Sequence, residues 1–67
     1  MIGITVNGEA LERPEDITVT GLLGSLDLDP GRVAVEVDGE IVRQPDWAAR
    51  TLRDGAQVEI VQLVGGG

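Results

Sequence analysis

The chain of 67 residues predicts an α+β domain, a mixed sheet of four to five strands with one main helix across one face. Three observations carry this expectation. Apolar residues alternate with period two in the first, middle and last thirds of the chain, as in half-buried strands. One intervening stretch changes to the 3.6-residue period of an α-helix. Turn-forming dipeptides of the hairpin type separate the alternating runs.

Each element follows from its residues. Ile2, Ile4 and Val6 alternate with Gly3, Thr5 and Asn7, so the chain opens in a strand. Asn7-Gly8 then suits a type I′ turn, which needs positive φ at both central residues, and Glu9 to Glu12 is the return strand. Pro14-Glu15-Asp16 breaks the pattern into a loop. Val19, Leu22, Leu23 and Leu26 stand at i, i+3, i+4 and i+7, one stripe of a helix that Thr18 is placed to N-cap. Gly21 and Gly24 lie inside this helix at a cost of about 1 kcal/mol each relative to Ala. Close approach of the helix to the sheet is the compensation expected there. Asp29-Pro30-Gly31 ends the segment.

Val33, Val35 and Val37 make a β-branched strand suited to the centre of a sheet. Asp38-Gly39 repeats the hairpin signal, with Glu40 to Val42 as its short partner. Gln44-Pro45-Asp46 is a turn, and Trp47 to Arg50 has room for one helical turn. After a further turn at Asp54-Gly55, Val58 and Ile60 alternate with Glu59; Val61, Leu63 and Val64 then add apolar groups on the other face. Two hairpins flanking one helix, with a final strand, is the layout of the β-grasp, or ubiquitin-like, fold. A ferredoxin-like arrangement needs a second full helix, for which residues 47–52 are too few. The domain is expected over residues 1–64, with residues 65–67 as a flexible glycine tail.

Composition removes several functions. There is no Cys and no His, so thiolate and imidazole ligands, catalytic thiols and disulfides are absent, which fits a cytoplasmic protein. Lys is absent as well, and all five basic residues are arginines. Without His, Cys or Lys, and with Ser25 as the sole serine, a hydrolase lacks both nucleophile and base. Asp27 with Asp29, and Asp38 with Glu40, are paired carboxylates at turn positions, where local hydrogen bonding explains them without catalysis or calcium. A formal charge of −7 disfavours nucleic acid and anionic membrane as partners and suits a basic protein surface. No apolar run approaches the length of a membrane span, and Met1-Ile2-Gly3-Ile4 reads as a strand rather than a signal peptide. Trp47 is the only aromatic residue, so the core is aliphatic, with Trp47 expected to cap one end of it.

The candidate site is the end of the chain, where Val61-Gln62-Leu63-Val64 runs into Gly65-Gly66-Gly67. Glycine carries no Cβ, so such a thread can enter a slot too narrow for a side chain and present the Gly67 α-carboxylate. A frayed end or a linker remnant fits the composition too. Val61, Leu63 and Val64 should form an exposed apolar strip leading to the tail, the kind of surface that binds a partner.

With these elements in order, the chain resembles the ThiS-type sulfur-carrier proteins of thiamin biosynthesis over essentially its whole length. The resemblance rests on Asn7-Gly8, Thr18-Val19 leading into Leu22-Leu23 and Leu26, Val33 to Val37 running into Ile41-Val42, Trp47, Leu52, Asp54-Gly55, Val58 to Ile60 and the terminal glycines. Asp38 in place of a frequent Asn, Ala56 in place of a common Asp, and three glycines rather than two are departures. The resemblance implies a protein co-substrate that binds no cofactor of its own. An E1-like enzyme consumes ATP to adenylate the Gly67 carboxylate, a sulfur donor such as a cysteine desulfurase supplies sulfur, and the resulting thiocarboxylate serves thiazole synthase. The small subunit of molybdopterin synthase, a ubiquitin-like protein modifier and an inert interaction module are the alternatives.

Overall fold

The computed structural model describes residues 1–64. Six main elements follow one another: β1 (Ile2–Val6), β2 (Glu9–Arg13), α1 (Val19–Ser25), β3 (Val33–Val37), β4 (Glu40–Val42) and β5 (Gln57–Gln62). The strands form one sheet in the order β2-β1-β5-β3-β4. β1 and β5 are parallel, and the other neighbours are antiparallel. Five strands with one helix on one face is the β-grasp arrangement that the periodicities predict. The last strand lies between the two hairpins, so neither of its edges faces open solvent along most of its length.

The core is aliphatic and sits between α1 and the sheet. Val19, Leu22 and Leu23 of the helix are buried with Ile4 and Val6 of β1, Val35 and Val37 of β3, and Val58 and Ile60 of β5. Each fully buried Val or Leu contributes about 1.5–3 kcal/mol through removal of apolar surface from water. Trp47 closes one end of this core: it is 4% exposed, and its Nε1–H donates to the Val42 carbonyl at 2.7 Å. That bond satisfies the one polar atom the indole brings inside.

Local chemistry fixes the ends of the elements. Thr18 is extended, and its Oγ1 accepts from the Gly21 amide at 3.1 Å, the N-cap read from the sequence. The helix ends at Ser25, one residue before the last member of its stripe, because Asp27 takes a left-handed conformation at φ 60°. Leu26 is therefore a half-buried cap residue.

Three expectations change. Gly24 has nothing within 4 Å of where a Cβ would stand, and the closest neighbour at Gly21 is Ile17 from the preceding loop, at 3.2 Å. Both helix glycines are exposed, so contact with the sheet does not account for them. The helical turn expected at 47–50 begins earlier, as a short 3₁₀ segment over Gln44–Asp46, since Pro45 suits a first helical turn. The return strand β2 extends to Arg13, whose residue pairs with Ile2. Residues 65–67, the expected tail, lie outside the described residues.

Candidate functional site

β5 carries the chain from the middle of the sheet to the glycines, so its geometry defines the site. Its side chains alternate: Val58 and Ile60 are buried against the helix, while Gln57, Glu59 and Val61 face outward. On that outer face Val61 lies opposite Ala34 of β3, and Glu59 lies opposite Glu36, which in turn is opposite Ile41 of β4. Ile41 is 77% exposed, Val61 59%, Leu63 53% and Val64 95%. Solvent exposure of Val61, Leu63 and Val64 matches the strip read from the sequence.

The surface has a definite character. Ala34, Ile41 and Val61 flank two carboxylates placed directly across from one another, together lining a shallow depression on the sheet. Like charges at facing positions repel, which costs stability in the isolated domain. Apolar groups around an acidic pair suit a partner surface that presents both apolar side chains and a cation. Sequence reasoning missed Ile41. The signal was Ile41-Val42, two consecutive apolar residues in a short strand, only one of which can face the core.

Two of the paired carboxylates singled out from the sequence, Asp29 and Asp38, do local structural work, as does Asp54. Asp29 Oδ1 accepts from the Gly31 amide at 2.9 Å, and Asp38 Oδ1 accepts from the Gln57 amide at 2.9 Å. Asp54 Oδ1 accepts from the Gly3 amide at 2.8 Å. Among the described residues no cluster of three acidic side chains is placed to hold a metal ion. No helix among them is long and apolar enough to cross a membrane.

The approach to the tail is held from both sides. The Leu63 amide donates to the Arg32 carbonyl at 2.7 Å, which continues the pairing with β3 beyond the end of β5. On the opposite side the Asn7 side chain bonds both backbone groups of Ile60. Gly65, Gly66 and Gly67, the residues that carry the chemistry in the sequence reading, lie outside the described residues.

Known proteins share both the sequence and the fold. The model of the ThiS family matches residues 4–67. The chain is 41% identical over 64 residues to a thiazole synthase of Paramagnetospirillum magneticum, covering 96% of this chain but only 20% of that protein. It is 31% identical over 64 residues to the sulfur carrier protein ThiS of Escherichia coli, covering 96% of this chain and 97% of that one. The crystal structure of the thiamine biosynthesis protein (ThiS) from Geobacter metallireducens superposes with a TM-score of 0.86 at 35% identity, covering 98% of this chain and all of that one. A family match across nearly every residue, a relative matched end to end and a solved structure of the same fold agree: this chain belongs to the ThiS family, the sulfur carriers of thiamin biosynthesis.

Proposed function

We propose that residues 65–67 are the arm on which sulfur is carried, and that the folded body over residues 1–64 docks the arm into successive enzymes. Support comes first from the family, and second from the exposed apolar side chains of Val61, Leu63 and Val64, which lie at and just beyond the end of β5 and lead in sequence to Gly65. The Gly67 carboxylate is a poor acyl donor, because expelling an oxide from it is unfavourable. An E1-like adenylating enzyme joins the carboxylate to the α-phosphate of ATP and releases pyrophosphate. A persulfide, delivered by a donor such as a cysteine desulfurase, then attacks with its outer sulfur and displaces AMP to give an acyl disulfide, and a thiol cleaves the S–S bond, leaving the thiocarboxylate and a new disulfide. No side chain beside the carbonyl obstructs either attack, since glycine has none.

The consuming partner in this reading is a thiazole synthase. A protein of that name from Paramagnetospirillum magneticum contains a segment 41% identical to this chain within a polypeptide about five times longer. A carrier held in the same polypeptide as its acceptor would meet it at high effective concentration, which supports pairing this chain with a thiazole synthase. ATP is consumed by the activating enzyme, and the carrier itself binds no cofactor.

Intact-protein mass spectrometry after incubation with the adenylating enzyme, ATP and a sulfur donor tests this. The expected result is a gain equal to one sulfur replacing one oxygen, confined to the C-terminal peptide. Removing Gly66 and Gly67 should abolish the gain and leave the melting curve unchanged. A gain that persists in the shortened chain, or none in the full one, refutes the assignment.

A further inference from the structure

The Asn7 side chain does more than form a turn. In a regular parallel ladder, residue 7 of the first strand would give its N–H to Val58 and take the N–H of Ile60 on its own carbonyl. The first bond is present, Asn7 N–H donating to the Val58 carbonyl at 2.8 Å. The second cannot form in the usual way, because Asn7 has entered the left-handed region at φ 50° and the backbone is turning into β2. Its side chain substitutes. The Ile60 amide donates to Asn7 Oδ1 at 2.7 Å, and Asn7 Nδ2 donates to the Ile60 carbonyl at 3.1 Å. One carboxamide thus replaces the rung the carbonyl of residue 7 would have made and the next one, which the N–H of residue 9 would have made in a continuing strand.

The consequence falls on the root of the proposed arm. Beyond Ile60, the β1-facing edge of β5 has no backbone partner among the described residues; β1 pairs with β5 only through Thr5 and Val6. Ile60 is the last β5 residue bonded on the β1 side, both of its backbone groups going to Asn7, and it lies opposite Val35 of β3. From Val61 onward the chain is tied only on the β3 side, ending with Leu63 on Arg32. We propose that Asn7 is a positioning residue: its carboxamide clamps β5 at Ile60 and thereby fixes the place and direction from which the C-terminal arm leaves the sheet. The role in sulfur charging rests on the carrier reading above; the clamp itself does not.

Two variants separate the clamp from the turn. Asn7→Gly keeps the turn, since glycine accepts positive φ freely, and removes the carboxamide. Asn7→Asp keeps an acceptor for the Ile60 amide but faces the Ile60 carbonyl with a carboxylate. Thr18→Ala, which loses the helix cap, serves as a control for stability loss away from β5. Amide exchange by NMR should show Ile60 exchanging about tenfold faster in Asn7→Gly, the scale set by loss of one hydrogen bond, and less changed in Asn7→Asp, which keeps the acceptor for that amide. Sulfur charging should lose about fivefold or more in kcat/KM in both Asn7 variants and nothing in Thr18→Ala, since orientation of a reacting end is sensitive to small displacements. Unchanged Ile60 exchange in Asn7→Gly overturns the clamp. Charging slowed equally in Asn7→Gly and Thr18→Ala overturns its positioning role. If the wild-type chain takes up no sulfur at all, the carrier reading fails, and the exchange measurement alone decides the clamp.

Discussion

Asn7 and Asp38 occupy the same place in their two turns, both at φ 50°, yet their side chains meet different groups. Asn7 faces an amide and a carbonyl of Ile60, so it must both accept and donate. Asp38 faces only the Gln57 amide, because the Gln57 carbonyl already accepts from the Asp38 backbone N–H at 2.7 Å. An acceptor is enough at 38, and a carboxamide is required at 7. Asp38→Asn should therefore change stability by less than about 0.5 kcal/mol, while Asn7→Asp should lose about 1–3 kcal/mol by leaving the Ile60 carbonyl without a donor. Urea titration of the two variants decides between these, and equal losses would contradict the distinction. The helix glycines give a second test at this scale. Gly24 has open space around it and sits in a helix, so Gly24→Ala should stabilise by about 0.5–1 kcal/mol. At Gly21 the new methyl would press on Ile17 at 3.2 Å, so the gain there should be smaller. A loss of stability at Gly24 would contradict this and mean that the fold itself needs the bare backbone there.

At the scale of elements, β5 is two things: a core strand buried on one face, and the base of the proposed arm. Val61→Ser and Ile41→Ser both change exposed side chains, so each should cost less than about 1 kcal/mol in stability. If the outer face docks the activating enzyme, the double variant should raise KM for charging by about tenfold with kcat kept, the loss expected of an apolar anchor. Steady-state charging kinetics read this directly; an unchanged KM would place the docking surface elsewhere. The elements themselves were legible because strand and helix periods are properties of adjacent residues. The hairpins at Asn7-Gly8 and Asp38-Gly39, the Thr18 cap and the inward Trp47 all follow from short-range rules. Ile41 was only half legible as surface: Ile41-Val42 shows that one of the two must face away from the core, but which one depends on the register of β4 against β3. The clamp at Asn7 was invisible for the same reason: its partner is 53 residues away, and no local pattern announces a side chain that stands in for a strand. Leu26 fits the helical stripe by spacing, but Asp27 turns left-handed and ends the helix first.

For the molecule as a whole, the charge of −7 on 67 residues matters as much as the core. A single small core of this size leaves a net stability of roughly 3–5 kcal/mol, so charge repulsion of even 1 kcal/mol is a sizeable share. The described residues offer little relief. Their three ion pairs, Met1 with Glu15, Arg32 with Asp29 and Arg50 with Glu40, span 3.7–3.9 Å and lie at the surface, where such pairs contribute little. The Cα radius of gyration is 11.3 Å. At about 0.01 M salt the screening length is roughly 30 Å, so every carboxylate feels all the others; at 0.15 M it is about 8 Å, and only near neighbours interact. Raising sodium chloride across that range should therefore raise the melting temperature by several degrees, about 4–8 °C for each kcal/mol of repulsion removed. Sodium sulfate at equal ionic strength should produce much the same rise if screening is the cause, and calorimetric scans in both salts test this. A flat or falling melting temperature would show that attraction and repulsion already balance. The same charge should work in the opposite direction on association. If its partners present the basic surfaces that this charge suits, the salt that firms the free domain should slow its capture by them. A carrier that must leave one enzyme to reach the next gains from that opposition, because attraction spread over a surface speeds encounter without requiring a long-lived complex.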